Sequence, residues 1–582
     1  MKASDFMVRF LEERNITDVF GYQGTMIIHF VDSVSKSRKI QNHSVYHEQA
    51  AAFAACGYAK ATGHCTVAYS TSGPGALNLI SGIADSYYDS IPVMFITGQV
   101  NTTEYTEVPE LRQQAFQQTD VVSIVAPVTK YAAFVGDAAA LPGEMKKAWE
   151  IAISGRMGPV LLDVPMDVQR SEIDDLVAEE YLRAPLRVQT PSSAEKAAEH
   201  AKIIMKAIQS SERPVLVLGN GIGKSPEEQQ RARRLVRQLG IPVVTSLMGK
   251  SVLPGEDPYN YGVIGSAYGH RYANWIAYQK ADLIVGLGVS LVRRQIGGNG
   301  EKFAEHAKII RVDIDQTEVR RKVHKDEIAL VDDVNQVIEA LLACPKEKDF
   351  SAWNRICSLI RDKLSQFDQK CDNRLPNRIL ETLGRQLAPN AVVAVDVGQH
   401  MMWTMQSFGV QDNRLLFSGG HGAMGFSLPA AIGAYYGLNG SHPVVCIAGD
   451  GAFQMNIQEL QWMVREQLPI CVIVLNNQCL GLIRQQQEDF LDGNMVGALA
   501  SGGFTSPDFH SIAQAYGLES YRLDSGDVLP EDVSRKIGRQ PLLIEFVLPP
   551  DTMALPKTYF GESMLDQKPH IPVQMYREIE TL

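Results

Sequence analysis

The segments VVCIAGDG (444–451) and ICVIVLNN (470–477) decide the fold of this 582-residue chain. Each is a short apolar run that stops at glycine or a polar side chain, the pattern of a strand buried on both faces of a parallel sheet. Open α/β sheets bind ligands beyond the carboxyl ends of their strands, so Asp450 and Asn477 are expected to meet there. Residues 452–475, 24 in all, separate the two motifs, and a helix is expected to begin near Asn456. Mg2+ takes oxygen ligands and shares them with phosphate. Gly449 and Gly451 let the backbone approach an anion closely, and a helix start offers free N–H groups. The arrangement reads as a diphosphate-bound Mg2+ site.

Similar runs recur along the chain. Those at 18–21, 66–69, 93–96 and 160–164 alternate with helix-like stretches over residues 1–168, which predicts a first α/β unit. The polar stretch 169–194 reads as a linker. A second unit, 195–345, has runs at 214–218, 242–245, 283–287 and 309–313, and the charged, helix-like stretch 346–374 reads as another connector. The third unit, 375–548, has runs at 391–397, 444–447, 472–475 and 542–546. The proline-containing polar tail 549–582 is expected to wrap a surface rather than build a core. The fold class is α/β, with three doubly wound parallel-sheet domains.

Composition narrows the task. Hydrophobic residues at 45% and charged residues at 21% are globular values. A net charge of −11 without a long basic run argues against nucleic-acid binding. No apolar stretch reaches the ~18 residues of a membrane span, and the first 15 residues read as an amphipathic helix, so a cytoplasmic enzyme of small molecules is expected. Eight cysteines without a CxxC pair are expected to be buried thiols.

In the first unit, Glu48 opens the small-residue stretch AAAFAACGYA (50–59), which permits tight packing against a neighbour. Alone, a carboxylate there is explained by the helix dipole. It is accompanied, however, by the turn Ser72-Gly73-Pro74-Gly75 with Asn78 just inside the next helix, as expected around a cofactor ring. A buried glutamate in one α/β unit and a GDG…NN diphosphate motif in another form the set that a thiamine-diphosphate enzyme needs.

The chain resembles the acetohydroxyacid (acetolactate) synthase family over nearly its whole length, with HEQAA (47–51), TSGPGALNLISGIADS (71–86), AFQQTD (115–120), GPVLLDVP (158–165), DVGQH (396–400) and GDGAFQMNIQEL (449–460) in family order. The resemblance implies pyrimidine-binding, central FAD-type and diphosphate-binding units. It places Glu48 on the aminopyrimidine of thiamine diphosphate, with Pro74 and Asn78 in the ring-holding turn. Gly398, Gln399, His400 and Gly451 would lie at the diphosphate, and Gly422 and Met424 against the pyrimidine and the bend of the cofactor. The Mg2+ ligands would be Asp450, Asn477 and the backbone carbonyl of Cys479. Phe116, Gln117 and Lys130 would line the catalytic cleft.

In the second unit, Gly219-Asn220-Gly221-Ile222-Gly223-Lys224-Ser225 looks like a P-loop, but Leu218 stands where its first glycine belongs. The family instead implies FAD, at Arg156, Gly221, Ser246, Leu247, Met248, Gly265, Gly288, Arg294, Asp313 and Asp333. The match is patchier here, since the family's RFDDR appears as SLVRR (290–294).

By resemblance the donor is a 2-keto acid, most plausibly pyruvate, and the first half-reaction is its decarboxylation. The acceptor is divided. Gln486 stands where the family has the tryptophan of RQWQ, which enlarges the pocket and adds amide hydrogen bonding. That departure, with the long loop 101–114 and the unusual tail, favours a nucleotide-linked 4-keto-deoxysugar, as in the yersiniose-pathway branch of the family. Arg294, the counterpart of the residue receiving the second carboxylate, favours the alternative, condensation of two pyruvates. A pyruvate oxidase or decarboxylase is a further alternative. A non-catalytic relative is opposed by intact Glu48, Asp450 and Asn477, and a Rossmann dehydrogenase by the lack of a complete GxGxxG with its acidic partner. The resemblance also implies a homodimer or homotetramer, the pyrimidine unit of one chain facing the diphosphate unit of another.

Overall fold

Three all-parallel sheets, each of six strands among the described residues, carry the chain. The computed structural model describes residues 1–582 except 107, 109, 224, 299–301, 372–373, 525, 527 and 560–561. Lys224 of the P-loop-like turn therefore lies outside the described residues.

The first sheet contains β1 (Asp18–Gly21), β2 (Gln41–Ser44), β3 (Thr66–Ser70), β4 (Val93–Gln99), β5 (Tyr131–Phe134) and β6 (Val160–Pro165), in the order β2-β1-β3-β4-β6-β5. The second contains β7 (Pro214–Leu218), β8 (Val243–Thr245), β9 (Asn260–Val263), β10 (Leu283–Leu287), β11 (Lys308–Asp313) and β12 (Glu327–Val331), in the order β12-β11-β10-β7-β8-β9. The third contains β13 (Val392–Val395), β14 (Arg414–Phe417), β15 (Val444–Gly449), β16 (Ile470–Asn476), β17 (Glu519–Leu523) and β18 (Leu542–Val547), ordered β14-β13-β15-β16-β18-β17. The outer sheets thus share one winding. The middle sheet has the 3-2-1-4-5-6 order of dinucleotide-binding folds, with its switch point between β7 and β10.

The first and third units share a core. The helix Glu48–Thr62 crosses Ser427–Gly437, and the alanines on both helices are buried in one apolar cluster with Phe53 and Phe426. Small side chains are required at the crossing. A Cβ on Gly57 would lie 2.5 Å from the Ala430 Cα, and one on Gly433 2.8 Å from the Ala54 Cα. The tight neighbour expected from AAAFAACGYA is this helix. Lys60, fully buried, locks the same interface by donating to Asp85 (2.9 Å), Asp89 (2.7 Å) and the Phe417 carbonyl (2.6 Å).

Three expectations about connecting segments are corrected. Val168, Ile173, Ala178 and Leu182 are buried in the first unit's outer core, and the Met1 amino group bonds the Ile173 carbonyl, so 169–182 is not linker. The connector 346–374 holds a helix, Ser351–Gln369, whose Trp353, Cys357, Ile360 and Leu364 form an i, i+4, i+7, i+11 stripe buried in the second unit's core. The tail, expected to wrap a surface, instead sends Met564, Ile571 and Ile579 into that core and Ala554 into the third unit's. The helical stretch expected near Asn456 begins at Ile457, with Asn456 as its N-cap, and a short helix, Asp450–Gln454, precedes it directly after Gly449.

Candidate active site

β15 and β16 pair in parallel with Gly449 opposite Leu475, so Asp450 and Asn477 leave adjacent strand ends side by side. Both are buried. The Asp450 carboxylate accepts from Ser506 Oγ and from the Cys479 backbone N–H, and burial pushes its pKa up to about 6. Asn477 Nδ2 donates to Gln399 Oε1 (3.0 Å) and Thr552 Oγ1 (3.2 Å). The Cys479 thiol turns away to the Pro550 carbonyl (3.5 Å), leaving only its backbone for a metal. Among the described residues no group of three or more His, Cys, Asp or Glu side chains could hold a metal. One carboxylate, one amide oxygen and one carbonyl are instead the hard oxygen donors that suit Mg2+ shared with a diphosphate.

His400, on the helix Gln399–Ser407, is buried across Gly398 and Gly449. One ring nitrogen bonds the Asp396 backbone, while Nε2 is buried without a partner among the described residues. Burial holds the ring's pKa down at about 3. An orphaned Nε2 beside two glycines fits a diphosphate oxygen once it is protonated, a state that the anion's charge favours. The Gln399 side chain is spent on Asn477, Gln485 and Thr552. Gly422 has φ +72 with open space where a Cβ would be, and Met424 beside it is half-buried. Buried Asp396, not singled out from the sequence, pins this loop by accepting from the Gly425 N–H (3.0 Å), the Ser427 N–H (2.8 Å) and Ser427 Oγ (2.7 Å).

Glu48 opens its helix at 8% exposure. Its Oε2 accepts from Asn78 Nδ2 (2.9 Å), and its Oε1 would lie 3.0 Å from a Cβ on Gly75, so the turn at Pro74 closes over it. Gly73, at φ +58, would place a Cβ 2.7 Å from the Gln117 carbonyl, which seats the Phe116–Gln117 loop on the same turn. Phe116 is 78% exposed. The loop before Glu48 is tied to the third unit, where buried Glu459 accepts from the Tyr46 N–H (3.0 Å) and Gln49 accepts from Asn456 Nδ2 (3.2 Å). Glu459, which the sequence reading passed over, has its pKa raised to about 7 by burial.

Lys130 is not brought to this cleft. Its ammonium caps the helix Leu141–Ile153, donating to the Ile151 and Ser154 carbonyls, and burial lowers its pKa to about 8. Gln486 is exposed on the helix Gly481–Phe490, whereas Arg484 and Gln485 beside it are buried.

At the β7–β10 switch point, the Gly221 N–H donates to the Gly288 carbonyl (3.0 Å), and a Cβ on Gly221 would lie 2.8 Å from the Gly288 Cα. This crevice fits a dinucleotide by topology. Several polar side chains proposed for FAD already have protein partners. Ser246 accepts from the Gly249 N–H, Asp313 from Asp315 and Asp333 from Asn335, while Arg156 donates to Ser90 and Asp315. Leu247 is buried, Met248 packs beside Gly419, Gly265 lies against Tyr268, and Arg294 is exposed.

Two sheets of one winding, a dinucleotide-type sheet between them in the chain, a GDG…NN oxygen cluster at a strand end of the third unit and a buried glutamate at a helix start of the first define a thiamine pyrophosphate enzyme. The N-terminal TPP binding domain of such enzymes matches residues 1–124, the central domain 201–341 and the C-terminal TPP binding domain 396–546. The chain is 36% identical to the acetolactate synthase isozyme 1 large subunit of Escherichia coli over 532 residues, covering 90% of this chain and 89% of the relative. It is 34% identical to the acetolactate synthase large subunit of Corynebacterium glutamicum over 581 residues, 97% and 90% of the two chains. A probable acetolactate synthase large subunit of Methanocaldococcus jannaschii is 36% identical over 565 residues, 94% and 92%. The chain belongs to the acetolactate synthase family of thiamine pyrophosphate enzymes. Among the described residues no helix is long and apolar enough to cross a membrane.

Proposed function

We propose that the protein is an acetolactate synthase that decarboxylates pyruvate and joins the remaining two-carbon unit to a second pyruvate. Two pyruvates and one proton yield acetolactate and CO2. The observation that carries the reading is that one chain holds both a buried Glu48, bonded by Asn78, and the Asp450–Asn477 oxygen cluster, and is similar to an acetolactate synthase over 97% of its length.

Asp450, the Asn477 amide oxygen and the Cys479 carbonyl would hold Mg2+, and protonated His400 Nε2 with the Gly398 and Gly451 backbone would receive the diphosphate. Glu48, its carboxylate steadied by the Asn78 amide, would hold and exchange a proton with the pyrimidine ring of the bound cofactor. Gly422 offers its backbone and Met424 its side chain to the same ring. Thiamine diphosphate, when bound, supplies the nucleophilic carbon and the electron sink for CO2 loss. Burial of Glu48 keeps water from competing for that proton. FAD would lie at the β7–β10 switch point, alongside the Gly221–Gly288 contact. The working form is a homodimer, in which the Phe116 loop and the Glu48 turn of one chain close over the diphosphate unit of the other.

This reading replaces the sugar acceptor favoured by Gln486, because the relatives are named as acetolactate synthases. The sugar reading retains one supporting observation, the exposed Gln486 on its helix. Mass spectrometry after incubation with pyruvate, thiamine diphosphate, Mg2+ and FAD, with and without a nucleotide-linked 4-keto-deoxysugar, separates the two. Acetolactate formed at the same rate in both reactions supports the synthase. An acetyl-branched sugar with little acetolactate refutes it.

A further inference from the structure

We propose that the Thr552 hydroxyl, backed by the carbonyl-anchored Gln399 amide, is needed to fix the polarity of the Asn477 amide and so aims its oxygen at the metal. The proposal rests on the reading of Asn477 as a Mg2+ ligand. An amide has a donor end and an acceptor end of nearly equal shape, so a metal-binding asparagine must be kept from presenting its NH2 to the cation. Here the choice is forced by backbone groups whose donor or acceptor character cannot change.

The Thr552 carbonyl can only accept. It faces one end of the Gln399 amide at 3.0 Å, so that end is the NH2. The other end of Gln399, now necessarily oxygen, faces Asn477 at 3.0 Å and requires the asparagine NH2 there. The Thr552 hydroxyl supplies the second constraint. It gives its one hydrogen to the Pro549 carbonyl (2.9 Å), which leaves only lone pairs for the Asn477 NH2 at 3.2 Å. Gln485 supports the same polarity, since its oxygen accepts from the Ala554 N–H (3.1 Å) and from the Gln399 NH2 (3.1 Å). Arg484 adds a donor to the Thr552 carbonyl (2.7 Å). Both Asn477 hydrogens are thus consumed by protein acceptors, and Oδ1 is left for the cation. Thr552, Gln399, Gln485 and Asn477 are all buried, so water does not offer a competing partner. Flipping the Asn477 amide would set its oxygen against two acceptors and its NH2 against Mg2+.

Thr552 is therefore a positioning residue that acts on the metal without touching it. Groups that orient metal ligands typically contribute ~10–100-fold in metal affinity. Thr552→Val keeps the shape and removes the hydroxyl, while Thr552→Ser keeps the hydroxyl and removes a methyl. The test is direct binding of Mn2+ to the cofactor-stripped protein with thiamine diphosphate, read by electron paramagnetic resonance, alongside Mg2+ competition. Thr552→Val should bind at least ~10-fold more weakly and Thr552→Ser within ~2-fold of wild type. Asn477→Ala should lose binding, which checks the ligand reading separately. Wild-type affinity in Thr552→Val with binding lost in Asn477→Ala overturns the proposal alone. Equal weakening in the serine and valine variants also overturns it, because packing rather than the hydroxyl would then matter. Wild-type affinity in Asn477→Ala overturns the metal site itself.

Discussion

Replacing Gly433 by alanine drives a methyl group into the backbone of the neighbouring helix. The added Cβ would lie 2.5 Å from the Ala54 carbonyl carbon and 2.8 Å from its Cα, where 3.4 Å is ordinary contact. The Ala54 carbonyl oxygen is closer still; these atoms are backbone on a buried helix, so no side chain can swing aside, and the helices must part by more than ~1 Å. Overpacking of this kind costs ~1–3 kcal/mol, and an unyielding backbone puts this site near the upper end, about 3 kcal/mol. At ~2 °C per kcal/mol for a unit of this size, calorimetry of the cofactor-free protein should show its midpoint lowered by roughly 6 °C. Glu48 begins the helix being displaced, and a misplacement of ~1 Å at a catalytic group can cost ~100-fold in rate. Gly409→Ala is the control, because nothing lies within 4 Å of its Cβ position. A Gly433→Ala protein with the midpoint and turnover of wild type would refute this account of the helix crossing.

Glu48→Gln keeps an oxygen for Asn78 but loses the exchangeable proton, so turnover should fall ~100–10,000-fold while thiamine diphosphate still binds; equilibrium titration and steady-state rates measure the two separately. His270 and His400, whose pKa values burial lowers to about 3, are held neutral in the fold. Their contribution to stability is present above the unfolded value near 6.5 and is lost as the pH falls toward 3, by up to ~1.4 kcal/mol per pH unit for each ring. Acid titrations of the cofactor-free protein should therefore show a shallower loss of stability for His400→Gln than for wild type. Gly288→Ala places a methyl 2.7 Å from the Gly221 Cα at φ +60, and flavin absorbance per chain after purification should drop several-fold relative to wild type.

What the sequence alone determined is the inner architecture. The expected runs fall on β1, β3, β4 and β6, on β7, β8, β10 and β11, and on β13, β15, β16 and β18, the four inner strands of each sheet. Inner strands of a parallel sheet are covered on both faces and must be apolar throughout, so they are legible one segment at a time. Asp450 and Asn477 come side by side for the same reason, since each closely follows such a run. Tertiary structure decided the rest. All six edge strands escaped the reading, among them β2 (QNHS) and β17 (ESYRL), because an edge strand is held by its neighbour's backbone and needs no apolar run of its own. The helix Ser351–Gln369 looked like a connector by charge, until its four-residue stripe met the second core. Lys130 shows the same limit, since a lysine near a motif can reach either a cleft or a helix end, and only the fold places the Ile151 carbonyl within its reach. The amide polarity of Asn477 lies furthest from the sequence, because it depends on backbone carbonyls 72 and 75 residues away that only folding brings together.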